Sequence, residues 1–162
     1  MSAKEKVIAL GFFDGVHLGH AALLRRTVEE AARRGVVPAV FTFDRVPKEV
    51  VTGIPCPLIN SPQDRADLLR RLFGIQEVLM VPFDQAMMTT SWEDFVTEIL
   101  VKRYHAVHLV AGHDHHFGHK NQGTPELLAD KCRQLGLGCD IIPKVEVGGI
   151  TVSSTYIRRL VE

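Results

Sequence analysis

The chain has 162 residues, 46% of them hydrophobic and 23% charged, with 19 basic and 19 acidic side chains and no net charge. That length fits one domain over residues 1–162 with a sizeable core. The charge balance gives no general electrostatic footprint for nucleic acid or an anionic membrane, and no run of about 18 apolar residues reads as a membrane span.

The first apolar run, Lys6–Gly11, reads as a fully buried strand. Leu18–Arg34 reads as a helix, with Ala21, Leu24, Val28, Ala31 and Ala32 along one stripe and Gly35 closing it. Val36–Phe43 is the second strand. Asp44–Asn60 is irregular, broken by Pro47, Gly53, Pro55 and Pro57, and a loop of that length is expected to be functional or mobile. Ser61 then caps a helix with Pro62 in its first turn, running to about Phe73. Gln76–Phe83 is the third strand, and Ser91 caps a helix to about Arg103. His105–Gly112 is the fourth strand, Pro125–Leu135 a helix closed by Gly136, and Cys139–Pro143 the fifth strand. "VEVGGITV" reads as a small hairpin turning at Gly148–Gly149, and Ser153–Glu162 as a last helix. Strand–helix alternation with apolar strands predicts a doubly wound α/β fold with a five-stranded parallel sheet. Such sheets bind ligands beyond the carboxyl ends of their strands.

Cys56, Cys132 and Cys139 are odd in number and form no CxxC spacing. A disulfide framework is not expected, and a reducing, cytoplasmic location is. The amino-terminal residues carry no apolar stretch of signal-peptide type.

Three constellations carry chemistry. "GFFDGVHLGH" (Gly11–His20) lies between the first strand and the first helix. His17 and His20 are one helical turn apart, so both imidazoles can project from one face. They sit where unpaired backbone N–H groups and the helix dipole favour an anion, which suits phosphate oxygens. "VSSTYIRRL" (Val152–Leu160) places Ser154 and Thr155 at a helix start and Arg158 in its first turn. Hydroxyls, N–H groups and a guanidinium there can grip pyrophosphate, although an ordinary capped helix carries the same pattern. "AGHDHHFGHKNQG" (Ala111–Gly123) holds His113, His115, His116 and His119 beside Asp114. Without a cysteine pair, solvated loop histidines are expected rather than a metal site.

The first stretch resembles the signature of the HxGH nucleotidylyltransferases, in the version carried by the FMN adenylyltransferase (FAD synthetase) module of bacterial bifunctional riboflavin kinase/FAD synthetases. The second resembles that family's "SSTxIR" motif. Gly112, Asp114, Phe117 and Gly118 match its "GxDFRFG" segment. The resemblance implies a Rossmann-like sheet and adenylyl transfer from ATP, carried with Mg²⁺, to FMN. It also implies the site: His17, His20 and Arg158 as catalytic residues; Gly11, Phe12, Phe13, Asp14, Gly15, Gly112, Ser154 and Thr155, with those three, around ATP; and Phe43, Asp114 and Phe117 around the flavin. The pattern breaks at Phe12, where the family usually has asparagine. It breaks again at Val46, the histidine position of its "FxPHP" segment, of which Phe43 and Pro47 remain, and at His115 and His116, which stand for Phe and Arg. These departures keep a different phosphate acceptor open, such as nicotinate mononucleotide, phosphopantetheine or glycerol phosphate. A flavin- or nucleotide-binding module without catalysis is the other alternative. No stretch matches the family's β-barrel kinase module, so FMN is expected from a separate riboflavin kinase. Nucleic acid and membranes are not expected partners.

Overall fold

The computed structural model describes residues 4–13, 18–45, 52–55, 61–143, 146–147 and 150–151. Strands β1 (Lys6–Leu10), β2 (Val37–Phe43), β3 (Glu77–Val81), β4 (Ala106–Gly112) and β5 (Gly138–Ile142) form one sheet in the order β3-β2-β1-β4-β5. Every neighbouring pair in it is parallel. β1 is central and wholly buried, as its unbroken apolar run requires of a strand covered on both faces.

Side chains alternate across the pleat, so each strand feeds two cores. Val7 and Ala9 face α1 (Leu18–Arg34) and α2 (Pro62–Phe73), where they meet Leu24, Ala31, Leu69 and Val110. Ile8 and Leu10 face the other way, toward Phe95, Leu100 and Leu128. That second face is covered by the helix from Trp92 to Arg103 and by α5 (Pro125–Leu135). The caps follow the sequence. Ser61 accepts from the Asp64 N–H, Thr124 from the Leu127 N–H, and Gly74 and Gly136 end their helices in the left-handed region.

Two features differ from the sequence reading. A short helix, α3 (Gln85–Met88), capped by Asp84, precedes the Ser91 cap. After one α-turn, α4 (Trp92–Asp94), the helix predicted to run to Arg103 continues in π geometry over Phe95–Arg103. Its buried Phe95, Val96, Ile99 and Leu100 fit an α spacing equally well, so residue pattern does not distinguish the two. Glu146–Val147 and Ile150–Thr151 pair antiparallel as β6 and β7, as the hairpin reading expects. The expected final helix, Ser153–Glu162, lies outside the described residues.

Among the described residues, no helix is long and apolar enough to cross a membrane.

Candidate active site

The chain runs outward from β1 to β3, then crosses back over β1 to β4 and β5. The order therefore reverses between β1 and β4, the kind of switch point at whose carboxyl end parallel sheets place a ligand crevice. Two glycines border it, Gly11 after β1 and Gly112 at the end of β4.

Gly11 is glycine for a local reason. A Cβ there would lie 2.7 Å from the Phe13 ring. Phe13 itself has φ +60°, a left-handed conformation that costs a bulky residue about 1 kcal/mol or more. The turn holds it because the ring is buried, 2% exposed, and meets His20 edge-on at 5.0 Å between centroids. Phe13 thus seats the second histidine of the motif rather than offering a face to a ligand. The Phe12 carbonyl accepts from the Thr42 hydroxyl at 3.0 Å, and the Gly11 N–H reaches the Phe41 carbonyl at 3.4 Å. Arg65 of α2 lies with its guanidinium carbon 4.1 Å from the centre of the Phe12 ring.

On the β4 side, a Cβ on Gly112 would meet the Asp114 carboxylate at 3.4 Å and Leu23 of α1 at 3.9 Å. The exposed Asp114 therefore folds back over the strand end beside α1. The His115 N–H donates to the Gly112 carbonyl at 3.1 Å, and the His113 N–H to the Ile142 carbonyl at 2.9 Å, which closes the turn onto β5. His115 is half-buried and stacks on Phe117 at 5.7 Å with rings 14° apart. Desolvation of that ring lowers its pKa to about 4, against the pull of Asp114. His115 is neutral at pH 7.

Phe117 lies in the apolar core, 6% exposed, against Trp92 at 6.4 Å and Phe95 at 5.6 Å. Gly123 pairs with it across a bridge, and a Cβ there would strike its ring at 2.8 Å. Phe43 ends β2, half-buried between Phe41 and Phe83, with its carbonyl accepting from Arg65. The structure thus brings Gly11, Phe12, Phe13, His20, Gly112 and Asp114 to one crevice, with Phe43 at the adjoining strand end. Asp14, Gly15, His17, Val46, Pro47, Ser154, Thr155 and Arg158 lie outside the described residues.

The sequence reading passes over Arg65 and Thr42, which hold the turn. Arg65 carries a usable signal: it stands four residues before buried Leu69, on the core stripe of α2. A second polar group is also unforeseen. Glu30 of α1, fully buried, is paired with Arg26, Arg33 and Arg34, and Arg26 and His108 both reach Asp140 at 2.8 Å. Hydrogen bonding from Arg33 is the largest cause holding the Glu30 pKa down, to about 2. His108, close upstream of the histidine-rich loop in sequence, belongs to this network on the α1 face. Cys132 and Cys139 are free thiols. Among the described residues, no three His, Cys, Asp or Glu side chains are grouped to hold a metal ion.

A parallel sheet of this order, with a glycine-initiated aromatic turn and a histidine on the first helix at its switch point, defines a nucleotidylyltransferase-type α/β protein. The chain belongs to the FAD synthetase family, whose sequence profile matches residues 1–156. A bifunctional riboflavin kinase/FMN adenylyltransferase of Listeria monocytogenes is 35% identical over 159 residues, covering 97% of this chain and 50% of that protein. A relative of the same name from Pseudomonas fluorescens is 34% identical over 94% of this chain and 49% of that protein. An FAD synthetase of Listeria monocytogenes is 25% identical over 98% of this chain and 64% of that protein. The chain spans about half the length of the bifunctional relatives. Among solved structures, one titled as a macrolide-efflux protein from Streptococcus pneumoniae superposes with a TM-score of 0.84 at 29% identity, covering 98% of this chain and 52% of that one.

Proposed function

We propose that this chain, as a single domain, transfers the adenylyl group of ATP to FMN, giving FAD and pyrophosphate. The observation that carries the reading is the strained Gly11–Phe13 turn, which seats His20 of an HxGH motif at the switch point of a parallel sheet. The family match supports the choice of reaction.

An FMN phosphate oxygen attacks the α-phosphorus of ATP, and the bond to the bridging oxygen of pyrophosphate breaks. No covalent intermediate on the protein is needed, so positioning and charge stabilisation supply the catalysis. His17 and His20 face the triphosphate. Ser154, Thr155 and Arg158 hold the leaving pyrophosphate through charge-assisted bonds. Gly112 lets the nucleotide approach the end of β4, and Asp114 orients a ligand hydroxyl. Phe43 borders the flavin, and Phe117 backs that side of the site from the core through its stack with His115. Mg²⁺ would arrive with ATP and would supply positive charge against the developing phosphate charge, with no dedicated protein cage for it expected. FMN comes from a riboflavin kinase activity, and a cytoplasmic site of action follows from these substrates.

The test is incubation with ATP, Mg²⁺ and FMN, with pyrophosphate and FAD measured together. Both are expected in equal amounts, and His17→Ala or Arg158→Ala is expected to abolish them while the circular dichroism spectrum is kept. Wild-type turnover in either variant removes that residue from the mechanism. Pyrophosphate release with another phosphomonoester, but not with FMN, transfers the reading to a different acceptor.

A further inference from the structure

Arg65 is one of the largest fully buried side chains of the molecule. Its position in the first turn of α2 is fixed by the Ser61 cap, whose carbonyl accepts from the Arg65 N–H at 2.9 Å. Withdrawing a guanidinium from water is costly, and a leucine or methionine would suit this stripe, beside Leu69, at far lower cost. A cation retained there must do something an apolar side chain cannot.

Its contacts show what it joins. Nη2 donates to the Phe43 carbonyl, at the end of β2, at 2.5 Å and approaches the Met80 sulfur of β3 at 3.8 Å. The guanidinium lies against the Phe12 ring at 4.1 Å. One side chain of α2 therefore ties the ends of two strands to the turn that follows a third. The turn is held from its other side as well, since the Phe12 carbonyl accepts from Thr42. Phe12 is thus fixed by ring and by backbone. The next residue, Phe13, adopts the left-handed conformation and carries the contact to His20. A strained conformation persists only where its surroundings over-determine it.

The geometry points to Arg65 as a positioning residue of the nucleotide site: by clamping the Phe12 ring, it holds the Gly11–Phe13 turn, and through Phe13 the His20 ring, in place before ligand arrives. It acts through Phe12 and Phe13 and touches no reacting atom. The role in catalysis rests on the adenylyl-transfer reading, whereas the clamp itself does not.

The pair is tested by Arg65→Lys, Phe12→Leu and the double variant. Lysine keeps the charge but loses the planar face that stacks on a ring. Amide hydrogen exchange in the peptide holding Gly11–Phe13 is expected to quicken about tenfold in each single variant, the order a desolvated cation–π contact is worth. Peptides from α5 are expected to exchange as in wild type. KM for ATP is expected to rise by a similar factor with a smaller change in kcat, and the double variant to be no worse than either single one. Unchanged exchange and KM in Arg65→Lys, or effects that simply add in the double variant, overturn the clamp. If Arg65→Lys does not fold, Phe12→Leu decides, because it leaves the bond from Arg65 to Phe43 in place; unchanged exchange there overturns the proposal. If wild type makes no FAD, the reaction reading fails, and the exchange data still decide the clamp.

Discussion

His115 shows how one side chain records its surroundings. In a sequence it is one of four histidines in a polar loop, indistinguishable from a solvated residue. In the fold it stacks on Phe117 and loses enough water to bring its pKa down to about 4. The unfolded chain, with a histidine near 6.5, then binds more protons than the folded one between these values. Stability from this group is complete above about pH 6.5 and falls as pH drops toward 4. His115→Phe keeps a stacked ring and removes the titration. Urea unfolding of that variant is expected to show a shallower loss of stability from pH 6.5 to 4 than wild type. Equal slopes in the two proteins would mean that the stack does not desolvate the ring. The same comparison marks what the motif hides. The glycine after β1 is legible as a close approach, but the atom approached is the Phe13 ring, and nothing in "GFFDG" says which phenylalanine turns inward. That choice is made by β2 and α2, through Thr42 and Arg65, which are distant in sequence.

At the scale of elements, the five strands are legible because β-branched and apolar runs bounded by glycine and proline admit few other readings. Both proline-led helices are legible because Ser61 and Thr124 cap them as their chemistry dictates. The π geometry of Phe95–Arg103 is not, since its buried residues satisfy an α period. The ion network on α1 is hidden for another reason. "RRTVEEAARR" looks like a solvated charged face, and Glu30 is drawn in only because His108 and Asp140 stand on neighbouring strands. Gly138 is part of that arrangement: a Cβ on it would occupy the space of the His108 ring. Glu30 holds its partners as a carboxylate with a pKa of about 2. Its contribution is therefore complete above the unfolded value near 4.5 and is lost as pH falls from there toward 2. Glu30→Gln is expected to lower stability at pH 7 by about 1–2 kcal/mol. That is less than for a wholly buried pair, because Arg26 and Arg33 reach solvent and stay hydrated when the carboxylate is gone. The difference from wild type is expected to shrink below pH 4 in denaturant unfolding. A difference that holds constant to pH 2 would assign the effect to packing rather than charge.

For the whole molecule, the order β3-β2-β1-β4-β5 separates two tasks. The apolar layers on either side of β1 fix the strand ends, and the turns beyond those ends are left free to carry polar and strained residues. Because Gly11 and Gly112 extend from the central strand β1 and its neighbour β4, a ligand between them draws on the stability of the entire sheet. Binding to the folded state alone must then raise the global unfolding midpoint. At a Mg²⁺–ATP concentration of 100 times Kd the gain is about 2.7 kcal/mol, which for a domain of this size shifts Tm by about 5–10 °C. His20→Ala loses the edge contact with Phe13, so its unliganded midpoint is expected to fall by a few degrees. The informative quantity is the further shift on adding nucleotide, measured from each protein's own unliganded midpoint. That shift is expected to be large in wild type and much reduced in His20→Ala at the same ATP concentration. A full shift in the variant would place the nucleotide away from the first helix. No shift in wild type at millimolar Mg²⁺–ATP would mean that the switch point does not bind nucleotide in this chain.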